Sequence, residues 1–183
     1  FSRPSSVIPA PQSPMATSNR KCSPRPPERA LADLKRAEQL DPHSADVQQN
    51  LAHVQAEHLR DNEAALRSLD KILQQQPRHE MARGGRCVLL ARRGEVDKAL
   101  ADVEFLASTL DNPHPATIYQ MARAHALLSE QREPSRREAI RLLARAIRLG
   151  YGTDLLDHDP DLEQLRHLGE FKTLTEMVRL SRD

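Results

Sequence analysis

Tryptophan is missing from this 183-residue chain, and aromatic residues make up only 3% of it. Sandwiches and barrels draw their cores from aromatic and β-branched side chains, so this poverty points to helices packed through Leu, Ala, Ile and Val. Cysteine occurs only as Cys22 and Cys87, a pair without the spacing of a metal or redox motif. Such usage needs no disulfide framework and fits a reducing, cytoplasmic compartment. No run of 18 apolar residues exists, so no membrane span is expected. Neither sign of charge dominates: 27 basic residues stand against 26 acidic ones, which gives no overall field to recruit nucleic acid. There is no Gly-rich phosphate loop, no His-Arg-Asp and no Asp-Phe-Gly, and no nucleophile–base arrangement is suggested by spacing. A non-catalytic chain without cofactor is the expectation.

What is present begins with proline. Seven of the thirteen prolines fall in residues 1–27, among serines and four basic residues (Arg3, Arg20, Lys21, Arg25) with no acid. Such a stretch cannot bury enough apolar surface to offset its ordering entropy and reads as a disordered linker. Pro24-Arg25-Pro26-Pro27 also fits a proline-binding groove, although composition favours a plain linker. The first residue, Phe1, is read as the start of a fragment, with room for an upstream domain or anchor.

From Glu28 the apolar residues recur at helical spacing, as in Ala30, Leu31, Leu34, Ala37 and Leu40. Each block of 12 to 16 residues ends at a breaker: Pro42, Asp61-Asn62, Pro77, Gly94, Pro113, Pro134 or Gly150. Pro42 and Pro77 lie 35 apart, and Pro113 follows 36 later. Ala30-Leu31, Ala65-Leu66, Ala99-Leu100 and Ala139-Ile140 occupy matching places, as do Leu51-Ala52, Arg86-Cys87 and Met121-Ala122. A fixed period over helix pairs predicts an all-α solenoid.

The unit resembles the tetratricopeptide repeat (TPR), a helix–turn–helix of about 34 residues. The resemblance implies a right-handed α-solenoid with a half-repeat at 28–42, repeats at 45–77, 80–113 and 115–150, and a C-terminal cap over 151–183. It also implies that small residues on paired helices face each other: Ala52, Cys87 and Ala122 against Ala65, Ala99 and Ala139. Gln48, Arg83 and Ile118 stand where the family carries an aromatic. The blocks Arg86–Gly94, Ile118–Ala122 and Asp159–Arg166 with Phe171 are similar to C-terminal TPR regions of large bacterial Ser/Thr protein kinases.

On the family's register a peptide groove would be lined by Gln49, His53, Val88, Arg92, Tyr119 and Arg123. Arg92, Arg123 and Tyr119 suit a carboxylate or an acidic peptide, because guanidinium forks take carboxylates bidentately. The plain alternative is that these arginines are solvated or pair with neighbours such as Glu95. A scaffold for a protein or peptide is therefore the expected function, with a homo-oligomerisation element, such as a homodimer, as the alternative. No metal site is expected. His53 and His58 lie five apart, off the spacing that puts two ligands on one helix face. Asp157, Asp159 and Asp161 echo a calcium loop, but Leu162 and Leu168 stand where its Gly and Glu belong. Pro160 behind Asp159 instead suits a capped helix start.

Overall fold

The computed structural model of the protein describes residues 26–180. The proline-rich segment 1–25, Cys22 included, lies outside the described residues. These form α1 (Pro27–Leu40), α2 (Ala45–His53), α3 (Asn62–Gln75), α4 (Glu80–Arg92), α5 (Val96–Thr109), α6 (Pro115–Leu127), α7 (Glu133–Arg148) and α8 (Gly169–Leu180). A π-helical turn, Val54–His58, extends α2, and a 3-10 helix, Pro160–Leu165, precedes α8. No strand occurs among the described residues, so the fold class is all-α.

Local chemistry sets the helix ends. Side chains of Ser44, Asp61, His79 and His114 accept hydrogen bonds from first-turn N–H groups of α2, α3, α4 and α6. Pro27 and Pro115 open α1 and α6, where a missing N–H costs nothing. Pro27, assigned by composition to the linker, is thus the first residue of a helix. Between α4 and α5 the chain turns at Gly94, whose φ of +74° lets Glu95 N–H reach Leu90 O at 2.9 Å.

Consecutive helices pack side by side: α2 on α3, α4 on α5, and α6 on α7. The link between α4 and α5 is so short that two helices in contact along their length must run antiparallel. α3 also packs on α4, and α4 packs on α6. The small residues expected where paired helices meet are buried. Ala52 is 3% exposed, and Cys87, Ala122, Ala65, Ala99 and Ala139 are fully buried. Side chains this small let helix axes approach closely, and larger ones there cost about 1–3 kcal/mol by overpacking.

Gln48 and Arg83 are polar for a reason the structure supplies, while Ile118 is fully buried in the core. Gln48 donates to Glu38 Oε1 of α1 at 2.9 Å, and Glu38 also pairs with Lys71 of α3. Arg83 reaches Asp102 of α5 at 2.6 Å and lies 3.8 Å over the Phe105 ring. Arg86 forks onto both oxygens of the same Asp102, which is buried. One buried carboxylate between two guanidiniums fastens α4 to α5.

After α7 the chain turns at Gly150 and folds back over α6. Leu156, Leu162 and Leu165 are almost completely buried, and the 3-10 helix packs on α6. Phe171, Leu174 and Val178 anchor α8, while Met177 of the expected apolar stripe is 57% exposed. The segment that sequence read as a C-terminal cap thus packs its 3-10 helix on α6 and α8 on α7.

Candidate functional site

Arg92 ends α4, Arg123 sits midway along α6, and the two guanidiniums converge on one place. What they hold there is the protein's own acidic segment. Arg92 donates from Nε to Asp161 Oδ1 and from Nη2 to Asp161 Oδ2, both at 3.0 Å. Arg123 donates from Nε to Asp161 Oδ2 at 2.8 Å and lies 3.2 Å from Asp159 Oδ2. The Tyr119 hydroxyl donates to that same Asp159 oxygen at 3.0 Å. Asp159 Oδ1 meanwhile accepts the Asp161 N–H and so starts the 3-10 helix.

The third carboxylate is Glu57. The chain is wound at i to i+5 over Val54–His58, with Leu59 N–H bonded to Val54 O at 3.1 Å. From this turn Glu57 Oε1 accepts from Arg92 at 3.0 Å and from Arg123 at 3.2 Å. Two arginines thus meet three carboxylates. The same winding corrects the reading of His53 and His58: five apart, they stack edge to face with centroids 5.6 Å apart.

Burial alone would raise the Glu57 carboxyl, but Arg123 and Arg92 more than offset it and hold it below the ordinary value of 4.5. Burial would likewise lower the Arg123 and Arg92 guanidiniums, and Asp161 with its neighbours raises both. Burial pushes the Tyr119 hydroxyl up, and Asp159 adds to that, so it remains a donor. A depressed carboxyl contributes stability above the unfolded chain's titration range, and that stability is lost as pH falls through the folded value. Urea midpoints should therefore drop below about pH 4.5, and Glu57→Gln should flatten that fall while costing about 1 kcal/mol at pH 7. A midpoint in the variant that falls with acid as steeply as in the parent would remove Glu57 from the network.

Of the six expected groove residues, Arg92, Tyr119 and Arg123 come together; His53 is exposed on α2, while Gln49 is half-buried with its Oε1 buried and unpartnered. Tyr119 is 2% exposed and lines no open surface, whereas Val88, equally buried, forms part of the wall of a small niche. Tyr119 is covered because Gly152 lies on its ring and Tyr151 meets it edge on at 5.6 Å. The arginines are neither solvated nor paired with Glu95, whose partners are Arg93 and Lys98. What remains open beside them is a niche of about 60 Å³ that includes Gln49, His53, Gly85 and Gln120.

Asp157, the first carboxylate of the calcium-like run, pairs with Arg179 of α8. All three carboxylates thus pair with guanidiniums, Asp157 with Arg179 and the other two with Arg123 and Arg92, and no metal-holding group of His, Cys, Asp and Glu occurs among the described residues. Burial raises the Cys87 thiol far above its ordinary range, which keeps it protonated. Burial lowers His125, whose Nδ1 is buried without a partner. Sequence reasoning missed Glu57 altogether, since nothing in Val54–His58 marks a π turn. It found Asp159 and Asp161 but only as a helix start; their placement next to two arginines is what spacing within the chain does not reveal. No family model, curated protein or solved structure matches this chain.

Proposed function

We propose that this chain is a non-catalytic protein-interaction scaffold, a right-handed solenoid of TPR-type helix pairs that receives a peptide or protein segment across α2, α4 and α6. The observation that carries the reading is the seat of Asp159–Leu165. A length of chain remote in sequence lies across α6 and is held by aspartates on Arg92, Arg123 and Tyr119. A face that takes one acidic segment in this way has the chemistry for another beside it. The buried alanines at the helix contacts and the near-constant interval between Pro42, Pro77 and Pro113 support the repeat assignment. Likeness of three sequence blocks to kinase-associated TPR regions supports a docking or regulatory role next to a Ser/Thr kinase domain.

Because the central arginines are committed to the protein's own carboxylates, a partner would use the partly accessible strip at exposed His53 and half-buried Gln49 and Gln120. Affinity capture with the parent chain and with a Gln49→Glu, His53→Glu variant tests this. The variant should keep its thermal midpoint and lose the captured partner at least ~10-fold, a loss typical of changes at an interface centre. Equal capture by both chains would sink the assignment of that face.

A further inference from the structure

α7 carries a second candidate surface. Its basic residues are all arginine, and Arg137, Arg141, Arg145 and Arg148 fall within a sector of about 80° that runs about 16 Å along the helix. Arg137 pairs with Glu133 and Arg141 with Glu138 within the helix; the first pair is well exposed and the second has an exposed guanidinium on a half-buried carboxylate, so both are weak surface pairs. Arg145 and Arg148 have no side-chain partner among the described residues. From Ala139 to Gly150 the sequence contains no acid.

A depression of about 580 Å³ lies at the C-terminal end of this face. Arg145 and Arg148 line it together with Pro113, Pro115 and Leu149, and no carboxylate takes part. Leu149 is 53% exposed, one of the large apolar side chains left at the surface. Two unengaged guanidiniums beside three apolar side chains match a ligand that is itself acidic and apolar. The protein's own residues 1–25 do not fit, because their four charges are all positive. A second copy docking through the same face would set arginine against arginine.

We infer that the outer face of α7 docks an acidic peptide segment of a partner protein, with carboxylates on Arg145 and Arg148 and an apolar side chain against Leu149, Pro113 and Pro115. This surface is separate from the strip at Gln49 and His53, and the two can be tested apart. The probe is a fluorescein-labelled 16-residue peptide of Glu and Ala with one Leu-Leu pair near its end, read by anisotropy. Three further ligands are titrated: the same peptide with Gln for Glu, vesicles rich in phosphatidylserine, and a single-stranded oligonucleotide.

The acidic peptide should bind the parent chain and weaken as salt rises, and the Gln peptide should bind at least ~10-fold more weakly. Arg145→Glu with Arg148→Glu should remove binding, and Leu149→Ser should weaken it severalfold, both with unchanged thermal midpoints since the side chains are at the surface. Gln49→Glu with His53→Glu should leave it intact. The inference is overturned if the double α7 variant binds the peptide as the parent does. It is also overturned if Leu149→Ser has no effect and oligonucleotide or vesicles bind as well as the peptide, which marks a mere polyanion surface. Loss of the peptide only in the Gln49, His53 variant would overturn it while upholding the other face.

Discussion

Arg123→Leu should lower the folding stability by about 3–5 kcal/mol and loosen the C-terminal segment from α6. Arg123 is 8% exposed and faces Asp159, Asp161 and Glu57 at once. Leucine fills part of the volume but leaves Asp161 and Glu57 to Arg92 alone, and Asp159 with the Tyr119 hydroxyl as its remaining side-chain donor. The cost is less the loss of favourable pairing than the exposure of buried acids to each other without a counter-charge. At a urea dependence of about 2 kcal/mol per molar, the midpoint should fall by roughly 2 M. Limited proteolysis should cut first between Gly150 and Gly169, because the segment's hold on α6 is what the change weakens. Asp161→Leu in the same background should recover part of the loss, since it removes one stranded charge and adds apolar volume. A midpoint within 0.5 M of the parent (about 1 kcal/mol at that slope) would show that the pairing contributes little net energy.

The contrast between Arg123 and Ala122 shows how far sequence carried. Ala122 is legible because repetition is local: small residues recur at a fixed interval, and helix geometry then dictates that they meet a neighbour. Helix ends were legible for a similar reason, from Pro42, Pro77, Gly94 and Pro113, although Pro27 was read as linker and opens α1. Arg123 was recognisable as a carboxylate binder, as were Arg92 and Tyr119. Its ligand was not, because Asp161 lies 38 residues away and 69 from Arg92, and no periodicity spans the turn at Gly150–Tyr151 that returns the chain. Asp159 and Asp161 carried a strong local explanation as a helix cap, and that explanation is correct: Asp159 Oδ1 caps while Oδ2 serves Tyr119. One carboxylate does both tasks, and only the local one leaves a mark in sequence. Glu57 left none, because a π turn is a matter of winding and not of composition.

Gly152→Ala should cost about 2–4 kcal/mol, although it adds a single methyl group. Gly152 has φ of +88°, a conformation strained for any residue with a side chain. A Cβ there would also lie 2.6 Å from one Tyr119 ring carbon and 2.7 Å from another. The ring has nowhere to go: it is 2% exposed, Tyr151 meets it edge on, and its hydroxyl is bonded to Asp159. Moving the ring breaks that bond and disturbs the carboxylate beneath Arg123, whereas moving the backbone pulls the 3-10 helix off α6. Gly150→Ala is the internal control, since its φ is +82° and its added Cβ would meet nothing within 4 Å. It should lose only the backbone share, about 1–2 kcal/mol. Combining Gly152→Ala with Tyr119→Leu, which removes the obstructing ring, should cost less than the sum of the two single changes. Equal midpoints for the Gly150 and Gly152 variants in thermal and urea melts would mean that the ring yields freely, and the close seat of this turn on α6 would not be what fixes the acidic segment against the arginines.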